Sequence, residues 1–270
     1  GLATLIKAHP NLRFTADLAD VAKEIDTVDV IFMCLPTPAS ELDLSDEKKF
    51  LFIAAKNISA LLTSRNRSEQ KKYVLIVNKS TVPLGTCAKL EQTFTVCGVR
   101  NFSVASNPEF LVEGKAVSGS QKPDRVVIGV NSPEAETLLR AVYGNIDPGK
   151  IIVVRPTDAE AVKLIANFEL YSTVVRTYLV AGRLCETVPG LTFENLIRGV
   201  TSDLRIPKWG HYVSLYSGGS CFEKDAKNLL HTLTNAGCDV STLSFIKSII
   251  EGNDHQLLRF YERAHEVKFS

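Results

Sequence analysis

The sequence predicts a mixed α/β protein in which residues 1–155 form a parallel sheet with crossover helices and residues 156–270 form an all-helical part built on one long helix. Three observations lead there. In the first half, continuous apolar runs of strand length alternate with stretches of helical spacing, the pattern of strands joined by helices. From Asp158 onward the apolar period is helical throughout. The length of 270 residues at 45% hydrophobic content suffices for about two domains.

In chain order, residues 29–35 are an apolar run ended by Pro36-Thr37-Pro38, which predicts a strand buried on both faces with a loop at its carboxyl end. Residues 46–62 have helical spacing. A second such strand, 73–77, ends in Ser80-Thr81-Val82-Pro83, and 87–94 is helical again. Shorter strands are expected at 102–105, 125–130 and 151–154, with a helix at 134–143. Loops at the carboxyl ends of such strands bind ligands, so the Pro-Thr-Pro and Ser-Thr-Val-Pro loops should share one crevice. Residues 159–186 run without proline or glycine until Gly182. At about 1.5 Å per residue, a helix there would span about 40 Å, enough to bridge domains or form a dimer seam. Three more helices are expected at 193–199, 224–236 and 241–264.

Composition narrows the function. Thirty-one basic against thirty acidic side chains leave a net charge of +1, so no global field recruits nucleic acid or an anionic membrane, and an anionic ligand must be held by local groups. Six cysteines, at 34, 87, 97, 185, 221 and 238, are scattered with no C-x-x-C pair and no histidine cluster. That pattern favours reduced thiols in a cytosolic setting over disulfides or a metal site. No apolar run reaches membrane-spanning length.

The most informative stretch is 217–225, Ser-Gly-Gly-Ser-Cys-Phe-Glu-Lys-Asp. Two glycines allow a sharp turn, and Ser220 and Glu223 have the spacing of a helix-capping box, which would make Cys221 the first helical residue. A thiol there faces unpaired N–H groups, a field that favours the nucleophilic thiolate; a small buried hydrophobe is the other reading of a lone cysteine. Asp225 lies one turn further on, where a carboxylate can orient a water or take a proton, or simply complement the helix dipole. Lys163 and Asn167, four apart on the long helix, project from one face as donors for one oxygen or as surface polar residues.

In order, Cys34-Leu-Pro-Thr-Pro38, Lys79-Ser-Thr-Val-Pro-Leu-Gly-Thr86, Ser106-Asn-Pro-Glu-Phe-Leu-Val-Glu-Gly114, Pro123-Asp-Arg-Val-Val-Ile-Gly129, Lys163-Leu-Ile-Ala-Asn167, Asp203-Leu-Arg-Ile206 and Gly218-Gly-Ser-Cys-Phe-Glu-Lys-Asp225 resemble the UDP-glucose/GDP-mannose dehydrogenase family, and within it the members that oxidise UDP-glucose. The resemblance implies a partial Rossmann-like NAD-binding domain followed by a helical central domain carrying the catalytic cysteine. It implies NAD as cofactor, a nucleotide-sugar substrate, and oxidation of its C6 alcohol to a carboxylate through a thioester on Cys221. By the same resemblance, Lys163 and Asn167 stabilise oxyanions, and Asp225, Glu109 and Thr81 handle the proton and the water. Glu109, Phe110, Leu111, Glu113, Lys163, Asn167, Tyr212, Tyr216 and Gly218 contact the sugar nucleotide, which Arg205 reaches across a homo-oligomer interface in the helical domain. Pro36, Thr37, Ser80, Thr81, Glu113, Cys221 and Lys224 contact the cofactor. Residue for residue, Arg205 could equally pair with Asp203 and Lys224 could be a solvated lysine.

The sequence departs from the family pattern in three places. It has no Gly-x-Gly-x-x-Gly turn with an acidic residue beyond it, and Ser270 falls before a second α/β domain, so an internal fragment with weak NAD binding is expected. Tyr216 and Ser217 stand where the family has a glycine and an aromatic, which should alter sugar fit. Phe168 and Glu169 replace small residues, which should disturb packing of the long helix. Three rival functions accompany these departures: a catalytically silent dimerising or regulatory relative, a dehydrogenase for UDP-N-acetylmannosamine or GDP-mannose, and a 6-phosphogluconate-type or hydroxyacid dehydrogenase that oxidises once without a thiol.

Overall fold

The computed structural model describes residues 2–9, 11–37, 50–64, 72–212 and 214–268. The chain divides into two compact units, Gly1–Lys163 and Leu164–Ser270. In the first unit, helices α1 (Leu2–Ala8) and α2 (Leu18–Ala22) precede the sheet and bury none of their described side chains. Neither was expected from the sequence, because both lack an apolar stripe.

Five strands, β1 (Val30–Met33), β2 (Val74–Asn78), β3 (Phe102–Ser106), β4 (Val126–Gly129) and β5 (Ile151–Val154), lie side by side in chain order. Pairings β1–β2, β2–β3 and β4–β5 are parallel, as expected, whereas β3 meets β4 antiparallel at Ser106 and Gly129. The reason lies in the connection: its helix α5 (Ala116–Gln121) buries no residue and so provides no packed crossover over the sheet. Between β1 and β2 runs helix α3 (Phe50–Thr63); the expected start at 46–49 lies outside the described residues. Helix α4 (Thr86–Val96) follows β2, and helix α6 (Pro133–Val142) follows β4.

Strand alternation builds a core on each face of the sheet. From β2, Val74 and Ile76 join Phe52, Ala55, Leu62, Leu90 and Phe94 of α3 and α4. Leu75 and Val77 join Ala135 and Leu139 of α6 on the other face. β2 is therefore buried at every position, but β1 is not: Phe32 is 36% exposed, which corrects the expectation of burial on both faces. Among the described residues β1 pairs only with β2, and an edge strand has neighbours on one side alone.

The long helix α7 (Pro156–Arg176) starts against the end of β4. A Cβ on Gly129 would stand 2.7 Å from both Ala159 Cβ and Pro156 Cα, so only glycine lets helix and strand meet there. Glu160, 3% exposed, turns back to the β2–α4 loop and accepts the Gly85 N–H (2.7 Å) and the Cys87 N–H (2.8 Å). It takes two of the free N–H groups at the start of α4, which has no side-chain cap of its own. The α-helical ladder does not continue to 186 as expected. Residues Thr177–Gly182 form a π-helical turn before the short helix α8 (Arg183–Thr187).

In the second unit, helices α9 (Phe193–Val200), α10 (Ser220–Asn235) and α11 (Val240–Lys268) complete the helical set. Tyr171, Val174, Val175 and Tyr178 pack against Ala226 and Leu229 of α10 and Ile246, Ile249 and Ile250 of α11. Phe168 belongs to this core, edge-on to Phe245 at 6.2 Å, so the expected disturbance by the large residue is resolved by burying it. No helix among the described residues is long and apolar enough to cross a membrane.

Gly129→Ala should lower stability by about 1–3 kcal/mol in urea unfolding, because backbone and a side chain must both give way. Burial pushes the Glu160 carboxyl up, while the amides of Cys87 and Gly85 pull it part of the way back. A carboxyl raised in the folded chain contributes stability that is fully present below its unfolded value, near 4.5, and is lost as pH rises through the folded one. Unfolding free energies measured from pH 4 upward should therefore change in favour of Glu160→Gln, relative to the unmodified chain, as pH increases.

Candidate active site

The glycine pair and helix α10 set the position of Cys221. Gly219, with φ +89°, occupies the N-cap position, and the helix begins at Ser220. Cys221 is thus the second helical residue, not the first, and the expected Ser220–Glu223 capping box gives way to a glycine start. Glu223 instead accepts from Lys227 one turn on, at 2.5 Å. The thiol of Cys221 is exposed, which removes the buried-hydrophobe reading.

One turn along, Asp225 is 1% exposed and its carboxylate is divided between two donors. Asn167 Nδ2 donates to Oδ2 at 2.5 Å, and Lys224 Nζ donates to Oδ1 at 2.6 Å. Lys224 is therefore not a plain solvated lysine, because its ammonium supplies the countercharge that burial of a carboxylate requires. Asn167, itself 5% exposed, reaches Asp225 from α7. The structure thus brings together three of the expected residues: Asn167 from α7 meets Asp225, and Lys224 pairs with it, on the helix whose second residue is Cys221.

In the sheet unit a second group forms at the carboxyl ends of the strands. Lys79 Nζ lies 3.0 Å from Glu109 Oε2 and donates to the Asn107 carbonyl at 3.3 Å. Glu109 Oε1 accepts the Phe110 N–H. The Phe110 ring has the Arg125 guanidinium over it at 4.0 Å and the Lys163 ammonium at 5.3 Å. Lys163 is 9% exposed, a buried lysine rather than a surface one. Asn107, fully buried, donates to the Val127 carbonyl and accepts from the Tyr143 hydroxyl, fixing the loop that carries Glu109 and Phe110.

Ser80 joins the two strand-end loops: its Oγ accepts the Leu35 N–H and donates to the Leu35 carbonyl, both at 2.8 Å. The two loops expected to share a crevice are thus joined to each other, with Pro36 exposed and Thr37 and Thr81 half-buried beside this link; Pro38 lies outside the described residues. These loops suit part of a dinucleotide, since they present side chains at the carboxyl ends of two neighbouring parallel strands, and Asn78 Oδ1 below them is a buried acceptor with no partner among the described residues.

Other expected residues stand apart. Leu111 is 43% exposed and Glu113 is exposed. Arg205 donates to both carboxylate oxygens of Asp203, the loop pair that was its other reading. Tyr212 packs edge-on to Trp209, and the Tyr216 ring lies where a Cβ on Gly218 would be 3.3 Å away. Of four residues absent from the expected set, Lys79 and Arg125 contact the expected Glu109 and Phe110, while Glu160 and Asn253 hold loop backbone at Gly85, Cys87 and Ser217. Lys79 and Arg125 sat inside recognised motifs, whereas Asn253 could have been found as a polar residue in an otherwise apolar helical stripe and Glu160 by its spacing to Lys163 and Asn167 on one helix face.

Residues 1–147 match the NAD binding domain of the UDP-glucose/GDP-mannose dehydrogenase family, and residues 157–255 match its central domain. The chain is 36% identical over 234 residues to a UDP-glucose 6-dehydrogenase of Rickettsia prowazekii, covering 86% of this chain and 50% of that protein. It is 32% identical over 268 residues to UDP-glucose 6-dehydrogenase 3 of Oryza sativa subsp. japonica, covering 96% and 53%. A UDP-glucose dehydrogenase structure from Pyrobaculum islandicum superposes with a TM-score of 0.76 at 28% identity, over 90% of this chain and 54% of that one. The chain spans about half the length of the curated relatives it matches. By both of its matched domains, it belongs to the UDP-glucose/GDP-mannose dehydrogenase family.

Proposed function

We propose that the chain carries the reacting groups of an NAD-dependent nucleotide-sugar dehydrogenase that oxidises the C6 alcohol of UDP-glucose to the carboxylate through a thioester on Cys221. The observation that carries this reading is the exposed thiol in the first turn of α10, one turn from a buried carboxylate held by an amide and an ammonium.

When bound, NAD accepts the hydride of each of the two oxidations; Pro36, Thr37, Ser80, Thr81, Glu113, Cys221 and Lys224 are the residues we assign to holding it. The protein's part is nucleophilic and acid–base chemistry. The first oxidation removes the C6 hydride and the hydroxyl proton and leaves an aldehyde. Cys221 Sγ adds to that carbonyl carbon, forming a C–S bond, and the oxygen takes up a proton to give a hemithioacetal. Its oxidation leaves a thioester. Water then adds to the acyl carbon, the C–S bond breaks, and the sulfur departs as the carboxylate forms. Asp225 accepts or returns protons in these steps, and its two fixed donors keep it in one rotamer. Lys163 and Asn167 stabilise the oxygen that becomes negative. Glu109 and Thr81 handle the hydrolytic water, with Lys79 holding Glu109. Phe110, Leu111, Glu113, Tyr212, Tyr216, Gly218 and Arg205 bind the sugar nucleotide.

A homo-oligomer built through the helical unit belongs to the same reading; exposed Val180, Leu184, Leu257 and Leu258 there support it. The six free cysteines suit a reducing compartment.

Cys221→Ser should lower NADH formation from UDP-glucose at least about 10³-fold, and the unmodified enzyme should yield two NADH per sugar. One NADH per sugar, or turnover indifferent to the substitution, would return the protein to the single-oxidation dehydrogenases. Asp225→Asn should cut kcat by about 10²- to 10⁴-fold with a smaller change in KM, measured by steady-state kinetics.

A further inference from the structure

The segment that delivers Cys221 is not part of a helix or strand until Ser220, and it contains two consecutive glycines. Glycines permit the turn but do nothing to hold it, since they have the largest conformational freedom of any residue. A fixed point is needed close by. It is found at Ser217, four residues before the thiol and 8% exposed. Asn253 Oδ1 accepts the Ser217 N–H at 2.7 Å, and Asn253 Nδ2 donates to the Ser217 carbonyl at 3.1 Å. One side-chain amide thus satisfies both backbone groups of one residue, as a neighbouring strand would.

Asn253 is out of keeping with the residues around it. Along α11, Ile246, Ile249 and Ile250 form a stripe buried against α7 and α10, and position 253 continues that stripe by one turn. An apolar residue would be expected there. The amide is instead 1% exposed, and its burial is made tolerable by pairing at both ends, because the Tyr178 hydroxyl also donates to its Oδ1. Tyr178 belongs to the π-helical turn Thr177–Gly182. The same turn packs on α11 beside the amide: a Cβ at Gly252 would stand 2.3 Å from Leu179 Cδ1. Such π turns inside α-helices recur at functional sites.

We infer that Asn253, seated by Tyr178 of the π turn, is the positioning residue of the Cys221 loop: it latches the backbone of Ser217 so that the glycine pair delivers the thiol in one place. The inference rests on the thiol chemistry proposed above, and it assigns the π turn a role in that chemistry.

The test uses hydrogen exchange and peptide-resolved alkylation by iodoacetamide, with exposed Cys97 of the sheet unit as internal reference. In Asn253→Ala, amides in 214–222 should exchange at least about 5-fold faster, and the Cys221-to-Cys97 alkylation ratio should change at least about 5-fold, the equivalent of one lost hydrogen bond. Ile246→Val, in the same stripe but away from the loop, should leave both unchanged, which separates the latch from general loosening of the core. Should Asn253→Ala fail to fold, Tyr178→Phe, which removes one donor to Oδ1 and keeps the ring, should move both readouts in the same direction. Unchanged exchange and alkylation in the folded variant, or an equal change in Ile246→Val, overturn the inference. Its failure is distinguishable from failure of the thioester reading, which would appear as full turnover in Cys221→Ser whatever Asn253 does.

Discussion

Burial of polar groups along a single helix is the constraint on which the candidate site depends. Glu160, Lys163 and Asn167 fall at intervals of three and four along α7, so they share one face, and each is almost wholly removed from water. An unpaired carboxylate, ammonium or amide in such a position would cost several times the net value of a typical hydrogen bond. Their partners are therefore not incidental. Glu160 is satisfied by the amides that begin α4, Lys163 lies over the Phe110 ring, and Asn167 is satisfied by Asp225. The helix cannot form with these residues buried unless the loops that answer them take up their observed paths.

The same logic explains the arrangement near the thiol. Asp225 on an isolated helix would be an ordinary first-turn acid, worth a few tenths of a kcal/mol to about 1 kcal/mol through the helix dipole. Its burial with Lys224 and Asn167 turns it into a carboxylate of fixed orientation, with each oxygen held by a different donor. Fixed orientation is what proton transfer to a particular atom requires. In the sheet unit, Lys79 and the Phe110 N–H treat Glu109 likewise, one donor on each oxygen.

Glycine appears in two opposed uses. At Gly129 it is a matter of space, since any side chain would collide with the backbone of Pro156 and with Ala159. At Gly219 it is a matter of backbone, because a φ of +89° begins the helix carrying Cys221. The freedom that permits the second use makes a separate anchor necessary, and the amide of Asn253 supplies it from a helix more than thirty positions later.

Periodicity alone determined the alternation of strands and helices, the change to helical period near Asp158, and the neighbouring places of the two strand-end loops, since these follow from which residues avoid water. Ordered motifs determined the family and most of the candidate set. The antiparallel meeting of β3 and β4 and the exposure of Phe32 were decided by neighbours: a connection with no packed helix and an edge with one partner among the described residues. Local pattern also could not tell that Lys163 is buried, that Lys224 pairs with Asp225, or that Asn253 holds Ser217. Each is a contact between residues distant in sequence or a choice among rotamers, and a one-dimensional pattern records which residues are apolar but not which polar atoms must find each other once water is excluded.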